Sequence, residues 1–222
     1  QVNERLRGVD LPDGVSADVM PNATPVGEIM RYRLRGDGKT STELRTIQDW
    51  SVERTLRQVP GVADVVGMGG FIKQYEVQPD LQKLRAYKLT LQDLQSALGR
   101  GNANAGGSYV AQGTQQFAIR GIGLLHGPDD IGQIVVTARG NTPVLVRDVA
   151  RVVIGAVPRL GTVGQDQDDD VVTGIVIMRK GENPSVVLKG VKDKIADLNA
   201  RVLPAGVQIV PFYDRTWLMG KT

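Results

Sequence analysis

Thr40–Gly70 reads TSTELRTIQDWSVERTLRQVPGVADVVGMGG, a helix, a tight turn and a strand. Thr40 can cap the helix, and Glu43 three residues on completes a T-x-x-E capping box. Leu44, Ile47, Trp50, Val52, Leu56 and Val59 spread over a broad apolar arc, which predicts a core position for Trp50. Asp49, Glu53 and Arg57 recur every four residues on the opposite, solvated face. Pro60-Gly61 stops the helix. Val62 to Val66 then reads as a buried strand ended by Gly67, Gly69 and Gly70. A further strand, Glu28 to Leu34, precedes the helix, so the stretch is the second part of a β-α-β unit.

Outward from that unit the pattern changes and then returns. From Gln74 a short strand, Tyr75 to Val77, leads to helical spacing at Leu81, Leu84 and Tyr87. Thr90 caps a second helix, with Asp93 in the capping-box position. Residues 99–107, GRGNANAGG, hold neither a phosphate loop nor a dinucleotide fingerprint. They lead into two arms of a hairpin, Ser108 to Val110 and Gln116 to Arg120. A short helix at Asp129 to Gln133 and strands at Ile134 to Ala138, Val144 to Val146 and Val149 to Ile154 follow. Leu160 to Gln165 and Val171 to Met178 read as hairpin strands joined by an acidic turn, Asp166 to Asp170. Asn183 caps a helix with Pro184 at its first position. Its stripe is Val187, Leu188, Val191, Ile195, Leu198 and Val202. Leu203-Pro204-Ala205-Gly206 turns the chain into a last strand, Val207 to Phe212.

The start of the chain echoes the end. Residues 1–10 read as the tail of a helix, Leu11-Pro12-Asp13-Gly14 as a turn and Val15 to Met20 as a strand, the same order as helix, L-P-x-G-V and strand around Leu203. The reading is the closing half of one domain, then a complete domain whose two β-α-β halves are separated by an insertion. Two such halves on one face of a sheet make an α+β fold, a ferredoxin-like split βαβ plait with an inserted mixed α/β module.

Composition narrows the function. The 222 residues carry 41% hydrophobic and 23% charged side chains, ordinary for a globular chain. The net charge is only +3 and no run of five or six basic residues occurs, which argues against nucleic acid. Arg31, Arg33 and Arg35 alternate on one strand and read as a solvated sheet face. With no cysteine there is no thiol chemistry and no Cys-ligated zinc, and the single His126 excludes multi-histidine metal sites. No stretch approaches the roughly 18 apolar residues of a membrane span. Both ends read as cut from a longer protein.

The ordered segments GEIMRYRL (27–34), LRTIQDWSVERTLRQVPGVADVVGMGG (44–70), QYEVQPDLQKLRAYKLTLQDLQSAL (74–98), GNANAGG (101–107), PVLVRDVARVVIG (143–155) and LPAGVQIVPFYDRTWLM (203–219) resemble the resistance-nodulation-division (RND) efflux transporters. Within these the chain is most similar to the heavy-metal branch, the CzcA/CusA type. The resemblance implies the end of a first porter subdomain in residues 1–22 and a second porter subdomain in 23–71 and 156–214. It also implies a docking subdomain inserted at 72–155, and in 215–222 the start of a link to a second transmembrane helix. It implies a periplasmic part of a Gram-negative inner-membrane, proton-driven homotrimer exporting divalent metal cations with an adaptor protein and an outer-membrane channel. No catalytic residue and no resident cofactor are implied, and zinc or cobalt would be weakly bound cargo.

Glu28 opens the first porter strand and Asp64 lies on the second. Zinc-exporting relatives place acidic residues at similar positions facing the cleft, and carboxylates suit hard or borderline divalent cations. Glu28 and Asp64 are therefore the candidate metal ligands, against the plainer reading of strand-edge charges. Asp166, Asp168, Asp169 and Asp170 lack the Gly and Glu of an EF-hand loop and read as a solvated turn. Met20, Met30, Met68, Met178 and Met219 are dispersed, as core filler is. Two alternatives stay open: an interaction module that binds no metal, and an acylphosphatase-like enzyme, disfavoured because no phosphate-cradling loop is evident.

Overall fold

The structure is a computed structural model. It describes residues 9, 12, 23–102, 105–112, 115–121, 123–140 and 142–216, with only the backbone of 23–26, 105–112 and 115–121. The helix expected over residues 1–10 and the strand over 15–20 lie outside the described residues. The chain forms two units, Gln1–Ile72 with Pro158–Thr222, and Lys73–Val157.

In chain order, β1 (Ala23–Gly36) leads to α1, which runs over 41–56 as Ser41–Ile47, a π-helical turn Gln48–Val52, and Glu53–Leu56. Strands β2 (Val62–Met68) and β3 (Lys73–Pro79) precede α2 (Leu81–Ala86) and α3 (Leu91–Arg100). Next come β4 (Ala105–Gln112), β5 (Gln115–Gly121), α4 (Pro128–Gly132), β6 (Val135–Arg139) and β7 (Thr142–Leu145). The single turn α5 (Val146–Val149) leads to β8 (Ala150–Ala156), and β9 (Val172–Arg179) follows. Helix α6 (Pro184–Asp197) continues into a second π-helical turn, Leu198–Val202, before β10 (Val207–Asp214).

The first unit is a four-stranded antiparallel sheet in the order β10-β1-β9-β2. Both halves of it are β-α-β in sequence, and the two helices share one core with the sheet. Met30, Tyr32 and Leu34 of β1, Val65 of β2, Val176 of β9 and Ile209 of β10 meet Val52, Leu56, Val187, Val191 and Leu198 there. The capping logic holds at both helices. Thr40 Oγ1 accepts from the Glu43 N–H at 3.2 Å while Glu43 accepts from the Thr40 N–H at 2.9 Å. Asn183 accepts from the Ser185 N–H, with Pro184 at the first helical position.

Trp50 is the main departure from the helical stripe. It is 62% exposed, with the Arg54 guanidinium 4.1 Å from its ring centre, and Gln48 takes the buried place. A 3.6-residue wheel places Gln48 between Leu44 and Val52 and Trp50 on the opposite side, so the broad arc expected from the sequence drew in a residue of the solvated face. At the end of α6, Val202 closes the second π-helical turn and is 55% exposed although it belongs to the predicted stripe. Trp50→Ala should therefore cost less than about 1 kcal/mol by urea denaturation, against about 3–5 kcal/mol for a buried tryptophan. A loss in the higher range would place Trp50 back in the core.

Two further expectations change. Leu160 to Gln165 forms no strand; residues 158–171 run as an irregular strap with one isolated bridge, Gln165 to Asp168, and Leu160 is fully exposed. Val149 does not open a strand but closes the helical turn α5.

The second unit has its own core of Leu84, Leu94, Ala97, Val136, Val144, Val146 and Val149. Three antiparallel pairs build it: β3 with β8, β4 with β5, and β6 with β7. Thr90 and Asp93 form the predicted capping box of α3. The molecule is thus a mixed α+β chain of antiparallel sheets.

Candidate functional site

One face of the first unit's sheet is covered by α1 and α6. Register identifies what the other face carries, because residues directly opposite in an antiparallel pair point to the same side. Thr173 stands between Arg33 and Met68, Ile175 between Arg31 and Val66, and Ile177 between Glu28 and Asp64. Val66 and Met68 are exposed on it, 38% and 44%.

Glu28 and Asp64 therefore lie at one level of the open face, flanking Ile177. They are not on neighbouring strands. Strand β9 separates them, and β2, which carries Asp64, is an edge strand rather than a central one. With about 4.8 Å between adjacent strands, their backbones are about 10 Å apart. Each carboxylate also has its own arginine. Glu28 accepts from the Arg31 guanidinium with both oxygens, and this contact raises the Arg31 pKa above its ordinary value. Asp64 accepts from Arg57 Nε at 2.7 Å and from its own strand's Val65 N–H at 2.7 Å. Arg57 also reaches Glu53 at 3.1 Å. Burial pushes the Glu53 carboxyl above its usual value, Arg57 pulls it back, and Asp49 and Asp64 push the same way as burial.

The sequence signal for Arg31 was the alternation Arg31, Arg33, Arg35; the structure separates the three. Arg31 holds Glu28. Arg33 is 15% exposed at its side chain and pairs with Asp168 at 2.5 Å. Arg35 is exposed. Asp168 belongs to the strap of residues 158–171, which is tied down again where Arg159 stacks 3.9 Å from the Phe71 ring centre and pairs with Asp170 at 2.6 Å. The Val171 N–H donates to the Val163 carbonyl. Burial raises the Asp170 carboxyl, and hydrogen bonds from Ser41 and Arg159 together with the Arg159 charge outweigh it and hold it below its usual range. The acidic turn is thus not simply solvated: two of its four carboxylates anchor the strap. Arg33 and Asp168 are 135 residues apart, so no local sequence pattern links them.

As they stand, both carboxylates are already engaged by guanidinium groups, Glu28 through both oxygens and Asp64 through Oδ1. Among the described residues, no three of His, Cys, Asp and Glu gather as a metal site. Of the methionines, Met30 and Met178 are buried in the core and Met68 is exposed on the open face; Met20 and Met219 lie outside the described residues. His126 is exposed in a loop, its N–H donating to Asp130. No helix among the described residues is long and apolar enough to cross a membrane.

Comparison with known proteins places this architecture. The model of the AcrB/AcrD/AcrF family matches residues 1–222. The cobalt-zinc-cadmium resistance protein CzcA of Cupriavidus metallidurans is 39% identical over 231 residues, which cover 99% of this chain and 22% of that protein. The cation efflux system protein CusA of Escherichia coli is 40% identical over 214 residues, 95% of this chain and 20% of that protein. A crystal structure of a heavy metal efflux pump superposes with a TM-score of 0.84 at 40% identity, covering 99% of this chain and 22% of that one. The chain spans about a fifth of the length of the curated relatives it matches.

Proposed function

The chain belongs to the AcrB/AcrD/AcrF family, and from that premise we propose that it is a periplasmic porter and docking part of an RND pump exporting divalent heavy-metal cations. It is a transporter part rather than an enzyme. The observation that carries this reading is the identity of about 40% along nearly the whole chain to proteins named for metal resistance and cation efflux, with a backbone that superposes on part of a heavy metal efflux pump at a TM-score of 0.84. The whole pump would be a proton-driven trimer of the Gram-negative inner membrane, working with an adaptor and an outer-membrane channel. The strand order β10-β1-β9-β2 with both helices on one face supports reading the first unit as a ferredoxin-like plait, the second porter subdomain. Residues 73–157 would be the docking subdomain.

In that reading Glu28 and Asp64 face the cargo. Their two carboxylates, each already held by a guanidinium, would bind Zn²⁺ or Co²⁺ at roughly millimolar affinity or worse in this chain alone. Ligands from another part of the pump, closing over the open face, would add to them. A second reading is favoured by the arginines themselves: Glu28 and Asp64 are anchors for Arg31 and Arg57 and meet no metal.

Resistance assays on the full-length pump separate the two. Glu28→Ala with Asp64→Ala should lower the zinc or cobalt concentration that a pump-deficient host survives, at unchanged expression. The stability of the 222-residue chain should stay within about 1 kcal/mol, as for exposed ion pairs. Wild-type resistance in the double variant removes both residues from the cargo site. Reduced resistance accompanied by a large loss of stability favours the anchoring role. A full-length protein that protects against no metal cation would overturn the pump assignment itself.

A further inference from the structure

The charge of this chain is unevenly placed. Residues 73–157 hold nine Lys and Arg against six Asp and Glu, so they carry the whole net charge of +3, while the remainder balances at eighteen of each. The two units also use their carboxylates differently. All the ion pairs among the described residues lie in the first unit. In the second unit five of the six acids serve backbone and amide groups instead. Asp80 accepts from the Gln82 and Lys83 N–H groups, Asp93 from Thr90, Asp130 from His126 and Asp148 from Leu145. Glu76 accepts from the side-chain amides of Gln74 and Gln78. Among the described residues, the second unit's lysines and arginines form no ion pair.

Three of these cations line one groove. It has a volume of about 630 Å³ and forms where the paired ends of β3 and β8 meet α2, α4 and α5. Lys83 comes from α2, Arg147 from α5 and Arg151 from β8, and all three are exposed. None has an ion-pair partner among the described residues. Val152, with the buried Ala150, gives the groove an apolar part. The acids on its rim are Asp80, engaged as a cap, and Asp129, in the first turn of α4.

We propose that this groove docks an extended acidic segment of a protein partner, with Asp or Glu side chains paired to Lys83, Arg147 and Arg151 and an apolar side chain against Val152. Two arginines can hold carboxylates bidentately, as they can phosphates, so the rest of the lining decides between the two. A mixed lining fits a peptide, which alternates charge and apolar surface, better than a nucleic acid, which offers phosphate throughout. The proposal rests on this unit's charge placement and stands whether or not Glu28 and Asp64 meet metal.

The test is fluorescence anisotropy of a fluorescein-labelled Glu-Val-Asp-Val-Glu-Val-Asp peptide titrated with the 222-residue chain. Saturable binding is expected, weakening between about 50 and about 300 mM NaCl as partly exposed charges are screened. The variant R147Q/R151Q should lose about tenfold or more in affinity, the equivalent of about 1.4 kcal/mol. R85Q/R100Q, which removes the same charge from exposed positions that do not line the groove, should lose less than about twofold. K83Q supplies a milder groove variant, expected to lose affinity with an unchanged circular dichroism spectrum. Equal losses in the two double variants would reduce the effect to net charge and overturn the proposal. So would a lack of saturation up to about 1 mM, the edge of weak recognition. Equal competition by a single-stranded oligonucleotide of matched charge would also overturn it, in favour of a general polyanion surface.

Discussion

Gly174→Val is expected to remove about 3 kcal/mol or more of the first unit's stability, a large share of the 5–15 kcal/mol typical of a domain. Gly174 sits in β9 opposite Tyr32 on one side and Gly67 on the other. A Cβ there would enter the Tyr32 ring at its Cζ, Cε1 and hydroxyl. The ring cannot move aside easily. It is completely buried and its hydroxyl is fixed by Gln48 at 3.0 Å. Gly67 is held to glycine from the same side, since its Cβ would lie about 3 Å from Gln48 and Asp49. Valine would thus overpack the core and also break the Tyr32–Gln48 hydrogen bonds. Urea denaturation followed by tryptophan fluorescence reads the right unit, because Trp50 and Trp217 both fall outside Lys73–Val157. Gly161→Ala, where a new Cβ meets nothing, is the control and should change stability by less than about 0.5 kcal/mol. A Gly174→Val chain as stable as the control would mean that β9 and α1 are not packed as described.

How far such features can be read from sequence depends on how local their causes are. Both capping boxes, Thr40 with Glu43 and Thr90 with Asp93, are legible because donor and acceptor lie three residues apart. The stripe Val187, Leu188, Val191, Ile195 is legible because α6 keeps one period over that span. The outward place of Trp50 is legible too once the 3.6-residue period is applied strictly, but the partner of buried Gln48 is not, being a tyrosine sixteen residues earlier. The strap is not legible either: its anchor, Asp168, is held by an arginine 135 residues away. The single turn α5 carries V-x-x-V between two strands, a spacing that suits a strand as well as a helix. At the candidate site, sequence identifies which strands carry Glu28 and Asp64. It does not reveal that Ile177 stands between them or that Arg31 and Arg57 already hold them. The order of strands and the bulge between Val62 and Asp64 decide that, and both are long-range properties.

Tyr32 and Gln48 should be strongly coupled, and a double-mutant cycle makes this measurable. The two side chains are completely buried and hydrogen-bond at 2.9–3.0 Å, the hydroxyl both giving to the amide oxygen and taking from the amide nitrogen. Burial pushes the Tyr32 phenol above its usual pKa, so it stays a neutral donor over the whole working pH range. Gln48→Leu alone leaves the Tyr32 hydroxyl dry and unpaired, at a cost of about 2 kcal/mol. Tyr32→Phe alone strands the Gln48 amide in the same way, with a similar loss of about 2 kcal/mol. Together the changes replace a paired polar contact by an apolar one of similar shape, so the double variant should lose only about 1 kcal/mol. The expected interaction energy is therefore a favourable 2–3 kcal/mol or so, well above the roughly 0.5 kcal/mol scatter of independent sites. It should appear in the same urea and tryptophan-fluorescence measurement, with Trp50 reporting from the turn that carries Gln48. Strict additivity would show that the two groups are satisfied separately. The inward place of Gln48 would then rest on its packing alone and not on the bond to Tyr32.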